Sequence, residues 1–104
     1  NQIYFGNGAY GVEEAAQTYF RKRARELTVL QGALLAGLPN SPNNTNPFKN
    51  YQRSMRRAEY ILIRMVKEHL ISEEEKNEAL SSSLGLIRPR KDDNPSRYFI
   101  NYVL

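Results

Sequence analysis

Thr28-Val29-Leu30-Gln31-Gly32-Ala33-Leu34-Leu35-Ala36-Gly37-Leu38-Pro39 is apolar nearly all round and carries its own start and stop signals. Thr28 and Gln31 stand in the T-x-x-Q spacing of a capping box, in which each side chain serves the other residue's backbone N–H. Pro39 ends the helix, because proline has no N–H to continue the ladder. A helix without a polar face belongs in the interior of a fold. At about ten residues it is far short of the ~20 needed to span a bilayer, so the spacing predicts a core helix over Val29–Leu38. Gly32, Ala33, Ala36 and Gly37 would let neighbouring helices approach it closely.

On the N-terminal side, Val12, Ala15, Ala16, Tyr19 and Phe20 recur at i, i+3, i+4, i+7 and i+8. That period predicts an amphipathic helix from about Gly11 to about Lys22. Glu13 and Glu14 fall in its first turn and Arg21, Lys22 and Arg23 at its end, the charge order that suits the helix dipole. Before it, Gly6-Asn7-Gly8-Ala9-Tyr10-Gly11 matches G-x-G-x-x-G. A dinucleotide site would need a strand on each side of the following helix and an acidic residue about twenty positions on. Ile3-Tyr4-Phe5 is a thin strand and a second helix follows the first, so the glycines are read as making a tight turn.

On the C-terminal side, Pro39 to Asn50 holds three prolines and five asparagines and reads as an ordered surface loop. Asn50 is placed to cap a third helix, Tyr51 to Leu70, with Met55, Ala58, Leu62, Met65 and Val66 on one face and His69 at its edge. Arg53, Arg56 and Arg57, one turn into that helix, could hold a pyrophosphate or a carboxylate, or form a plain solvated face. Ser72 and Glu75 make a second capping box, opening a short acidic helix to about Leu80. Ser81 to Asn94 reads as a linker. His69 is expected to be a partly buried structural residue. The fold class is all-α, about four helices with one Pro/Asn-rich loop.

Composition narrows the chemistry. The 104 residues contain no cysteine and one histidine, which excludes disulfides, thiolate metal sites and multi-histidine sites. Fifteen basic and 11 acidic residues give a net charge of +4, suited to an anionic partner. Nucleic acid is not the expected partner, because the seven tyrosines are scattered and no recognisable binding module is present.

Asn1-Gln2-Ile3-Tyr4-Phe5-Gly6-Asn7-Gly8-Ala9-Tyr10-Gly11-Val12, Ala15-Ala16-Gln17-Thr18-Tyr19-Phe20, Glu26-Leu27-Thr28 and Ala33-Leu34-Leu35-Ala36-Gly37-Leu38-Pro39, with Pro42 and Pro47, together resemble the peptidoglycan glycosyltransferases of glycosyltransferase family 51. These are the lipid II polymerases of class A penicillin-binding proteins and of monofunctional forms. The resemblance implies a lysozyme-like α-helical fold, with residues 1–85 as the C-terminal part of the glycosyltransferase domain. Residues 86–104 would begin a linker towards a transpeptidase domain, because Tyr98-Phe99-Ile100-Asn101-Tyr102-Val103 resembles that junction. It also implies an enzyme on the outer face of the bacterial cytoplasmic membrane, with lipid II and the growing glycan strand as partners and a divalent metal as a possible helper in the complete domain.

The family's general base sits in an E-D-x-x-F stretch and its second glutamate in an R-K-x-x-E stretch; neither pattern occurs here. No catalytic residue and no metal ligand is therefore assigned within 1–104, and a peptide of these residues alone is expected to be inactive. Glu13, Glu14 and Glu26 belong to other motifs. Two substrate-binding residues carry over. Tyr4 matches a tyrosine lining the substrate cleft. Arg57, in Arg57-Ala58-Glu59-Tyr60-Ile61-Leu62, matches the arginine of R-x-N-x-V-L, which reaches the phosphate-bearing part of a substrate or of moenomycin-like inhibitors. The sequence departs from the family at Glu59, where asparagine is usual, at Arg21, where glycine is usual, and at Gln31, where glutamate is common. A lysozyme-like glycan hydrolase and a lipid II-binding module without turnover are the competing readings.

Overall fold

A computed structural model of the chain describes residues 3–39 and 46–88. The chain runs α1 (Val12–Phe20), a single 3-10 turn (Ala24–Glu26), α2 (Val29–Gly37), α3 (Tyr51–Lys67) and α4 (Glu73–Ser81). Among the described residues there is no strand, only one antiparallel bridge between Tyr4 and Tyr10. The all-α expectation holds.

α2 occupies the middle, packed mainly on α3 and more lightly on α4. Its Leu30, Leu34 and Leu35, with Leu38 just beyond it, are buried to 2% exposure or less. Each such side chain is worth about 1.5–3 kcal/mol relative to exposure. Its burial is nonetheless one-sided: Val29 and Ala36 are exposed, and a Cβ at Gly32 would meet nothing within 4 Å. Of the four small residues expected to admit neighbours, Ala33 and Gly37 are buried and the other two are not.

Both capping boxes are present. Thr28 Oγ1 accepts from the Gln31 N–H at 3.1 Å while Gln31 Oε1 accepts from the Thr28 N–H at 2.9 Å. Ser72 and Glu75 exchange the same pair of bonds at 3.0 and 2.8 Å. Asn50 holds the N-cap position of α3 without a side-chain cap bond.

Two helices end earlier than their apolar period predicts, for the same backbone reason. α1 stops at Phe20 because Arg21 turns into the left-handed region at φ 55°, its N–H donating to Gln17 O. The basic residues expected in the last turn therefore lie beyond it. α3 stops at Lys67 because His69 takes φ 63°. There the His69 N–H donates to Val66 O and the Leu70 N–H to Met65 O, the bond pair of a Schellman ending. His69 is thus an exposed terminator and not a partly buried core residue.

Residues 82–88, expected to be linker, fold back as an extended strap. Leu84 is buried and its carbonyl accepts from Gln31 Nε2 at 2.8 Å. The Ile87 N–H donates to Tyr19 O at 2.9 Å, and the Arg88 guanidinium donates to Phe48 O and lies over the Phe48 ring. The remainder of the expected linker, and residues 40–45 of the Pro/Asn loop, lie outside the described residues. Where that loop is described, the Asn46 side chain accepts from the Phe48 N–H and Pro47 is fully buried.

Left-handed backbone costs a non-glycine residue roughly 1–2 kcal/mol. Arg21→Gly should accordingly raise the stability of this chain by about 1 kcal/mol, read as a higher urea midpoint at unchanged m-value. Loss of stability would show that the Arg21 side chain outweighs the backbone strain.

Candidate functional site

The glycine-rich segment is a hairpin. The Ala9 N–H donates to Gly6 O across a turn whose two central residues, Asn7 and Gly8, both have positive φ (49° and 78°). Asn-Gly is the residue pair that tolerates this sign pattern, which is that of a type I′ hairpin turn. Phe5 N–H to Ala9 O (2.8 Å) and Gly11 N–H to Ile3 O (2.7 Å) close the arms. Among the described residues no parallel strand follows, and the glycines serve a hairpin turn in place of the strand-to-helix turn of a dinucleotide loop.

Tyr4 stands on one arm of this hairpin, 39% exposed, its ring 4.7 Å from that of Tyr10 on the other. Its hydroxyl accepts from the Gly8 N–H at 3.3 Å. The hairpin is fixed to α1 by Tyr19, which is fully buried. The Tyr19 hydroxyl donates to Phe5 O at 2.7 Å and accepts from Asn7 Nδ2 at 2.9 Å. Burial pushes its pKa above the ordinary 10.0, against the opposing effect of the Asn7 bond. Glu14 adds a third tie by accepting from the Tyr10 N–H at 2.7 Å. Tyr4 is therefore an open aromatic surface on a rigid support.

Arg57 is positioned by a different seam. α2 and α3 approach so closely at Gly37 that a Cβ there would lie 2.6 Å from Arg57 Cγ and 3.2 Å from Ile61 Cδ1. The missing side chain lets the Arg57 stem lie against the backbone of α2, and its guanidinium sits 5.3 Å from the Tyr60 ring centroid. Among the described residues no ion pair joins Arg57 to Glu59, as expected for helix positions two apart. The three arginines near the start of α3 do not form one cluster. Arg53 and Arg56 line an open polar concavity of about 560 Å³ with Lys49, Asn50, Tyr51 and Gln52, and Arg57 is not among its walls. A second groove, about 330 Å³, lies between the start of α2 and α4, where Glu75 and Glu78 disfavour an anion.

The early carboxylates are occupied structurally. Glu13 pairs with Arg23 at 2.9 Å and accepts from the Ala24 N–H; Glu26 accepts from the Arg23 N–H. Among the described residues no group of three or more His, Cys, Asp or Glu side chains could hold a metal ion, and no helix is long and apolar enough to cross a membrane. What the arrangement offers is binding: an aromatic face at Tyr4 and a guanidinium at Arg57. Two supporting residues went unread in the sequence. Tyr19 looks like any other apolar stripe position. Gln31 does more than cap, because its Oε1 also accepts from Lys22 Nζ at 3.0 Å while its Nε2 holds the strap. The Asn7-Gly8 pair between apolar arms was the available signal for the hairpin.

A family model described as Transglycosylase matches residues 1–66. Penicillin-binding protein 1A of Neisseria gonorrhoeae is 42% identical over 104 residues, covering 99% of this chain. That of Rickettsia bellii is 42% identical over 93 residues, covering 89% of this chain. The crystal structure of penicillin-binding protein 1A from Haemophilus influenzae superposes with a TM-score of 0.80 at 42% identity over 85% of this chain. The chain spans only 12–13% of the length of these relatives.

Three variants test these supports. Gly37→Ala gains up to about 1 kcal/mol in helix propensity but overpacks the seam, which costs about 1–3 kcal/mol, so net destabilisation is expected. Gly32→Ala, facing open space, should stabilise by up to about 1 kcal/mol. Equal effects in urea melts would refute the close approach at Gly37. Tyr19→Phe leaves the Phe5 carbonyl without its donor and should cost about 1–3 kcal/mol. Because the folded pKa of Tyr19 is raised, the stability due to its neutral hydroxyl is whole below pH 10.0 and lost as pH climbs through the folded value. The parent's alkaline loss should therefore be steeper than that of Tyr19→Phe, as followed by circular dichroism from pH 9 upward.

Proposed function

The chain belongs to the transglycosylase family, and from that premise we propose that it is the C-terminal part of a peptidoglycan glycosyltransferase domain that polymerises lipid II. In this reading residues 1–85 form one side of the donor and acceptor cleft, and the later residues lead to a transpeptidase domain of the same parent protein. The enzyme works at the outer face of the bacterial cytoplasmic membrane, where its lipid-linked substrate and the growing glycan strand meet.

The reaction forms a glycosidic bond between an incoming sugar hydroxyl and an anomeric carbon while the bond from that carbon to a polyprenyl pyrophosphate breaks. A glutamate takes the hydroxyl proton, and the leaving group departs as the pyrophosphate. Residues 1–104 contain neither glutamate motif, and the carboxylates nearest the hairpin are tied into structure. These residues therefore serve binding rather than proton transfer, and by themselves turn nothing over. Tyr4 offers its ring as a wall for the sugar or lipid-linked portion. Arg57 offers charge-assisted hydrogen bonds to phosphate oxygens, where negative charge accumulates as the bond breaks. A divalent metal in the complete domain would share that charge.

The observation that supports this most is that the family match spans both Tyr4 and Arg57 and that each stands on an independent rigid support. Arg57→Ala in the intact glycosyltransferase containing this segment should weaken lipid II and moenomycin binding. A lost charged hydrogen bond of about 1.5–3 kcal/mol corresponds to roughly 10- to 150-fold. Arg57→Lys should recover part of it, since lysine keeps the charge and loses the planar fork. Unchanged affinities for both ligands would remove Arg57 from the site.

A further inference from the structure

The charge of this chain is concentrated on one helix. α3 carries five basic residues (Arg53, Arg56, Arg57, Arg64, Lys67) and one acidic, Glu59, a net +4. The whole chain, with 15 basic and 11 acidic residues, is also +4, so everything outside α3 holds ten of each and is neutral. At about 100° per residue, Arg53, Arg56, Tyr60, Ile63, Arg64 and Lys67 fall within an arc roughly 100° wide, directly opposite the buried Ala58 and Leu62. No carboxylate lies within that arc, but Glu68, just past the end of α3, pairs with Arg64 at 3.6 Å from beside it, which leaves Arg53, Arg56 and Lys67 as the main cations of the ridge. All six are exposed, and two of them are large apolar side chains, Tyr60 at 50% and Ile63 at 47%. Lys49 continues the positive surface past the start of the helix, where it lines the concavity with Arg53 and Arg56.

A merely solvated helix face mixes both charge signs and carries few large apolar groups. Here two apolar side chains, Tyr60 and Ile63, sit between two pairs of cations along the outward ridge. We propose that the outer face of α3 docks on an anionic phospholipid surface, with Tyr60 and Ile63 entering the headgroup layer and Arg53, Arg56, Arg64 and Lys67 meeting lipid phosphates. The chemistry favours lipid over nucleic acid because Ile63 is aliphatic and cannot stack on a base, and Tyr60 is the one aromatic residue within the arc. Tyr60 and the basic residues have the amphipathic character suited to a headgroup boundary. The surface meets Arg57 at Tyr60, whose ring lies 5.3 Å from the guanidinium, but the cations it uses are other residues. Vesicles free of lipid II test it whether or not Arg57 is a ligand residue.

The experiment is co-sedimentation of the whole chain with vesicles of phosphatidylcholine alone and of phosphatidylcholine with phosphatidylglycerol. Binding should require the anionic lipid and weaken with salt. Each cation removed should cost about fivefold, the equivalent of ~1 kcal/mol per basic residue at an anionic surface. Arg53→Gln, Arg56→Gln and Lys67→Gln combined should therefore lose on the order of 100-fold. Ile63→Ser should also weaken binding, whereas Arg23→Gln with Arg25→Gln should lose less than the α3 set. Unchanged helical circular dichroism shows that a variant is folded, and a variant that fails this is replaced by Lys67→Gln alone. Equal binding to both vesicle types, equal losses from the two basic sets, or tighter binding to a single-stranded oligonucleotide than to the anionic vesicles would overturn the proposal.

Discussion

The buried hydroxyl of Tyr19 is the constraint on which the rest of the N-terminal half depends. A phenol removed from water must find partners, and here it finds two on the hairpin, Phe5 O and Asn7 Nδ2. The same residue stacks its ring 5.3 Å from that of Phe48 and offers its carbonyl to Ile87. One side chain and its backbone therefore join the hairpin, α1, the end of the Pro/Asn loop and the strap. The loop end and the strap are distant in sequence from the contiguous hairpin and α1. The open face of Tyr4 is held in place because Tyr19 fixes the hairpin beneath it.

α2 plays the complementary part for the other half. Its leucines supply the burial, and Gly37 supplies the closeness that presses the Arg57 stem onto the helix backbone. Tyr4 and Arg57 thus answer to different anchors, a hydrogen-bonded phenol and a helix seam. The two residues are held independently, so a change in one support need not displace the other.

What could be read beforehand was whatever is written locally. The T-x-x-Q and S-x-x-E boxes involve residues three apart, and the apolar period of α1 and α3 needs only one turn of neighbours, so all four helices were legible. Their ends were less so. Apolar period continues past Phe20 and Lys67, and only the backbone shows Arg21 and His69 in the left-handed region. The three arginines read alike in the sequence, as a phosphate holder or a solvated face, but one step of helix rotation sets Arg57 at the α2 seam and leaves Arg53 and Arg56 at the concavity. The strap was read as linker because its attachments, Leu84 to Gln31 and Ile87 to Tyr19, bridge more than fifty residues and leave no local signature. Tyr4 is singled out by family resemblance alone, and Arg57 by that resemblance and by its place among three arginines near the start of α3.

The strap has a mechanical consequence. Its attachments lie in sequence order, Leu84, Ile87, Arg88, on three different partners: α2, α1 and Phe48. Tension arriving from the residues beyond Arg88 meets them one at a time, outermost first, so the strap peels instead of shearing. The first attachment to yield is the exposed arginine on Phe48, and the last is the buried Leu84 carbonyl on Gln31. Between slack and full load the strap therefore behaves as a graded tether. The load reaches Tyr19 through its carbonyl before it reaches Gln31 on α2.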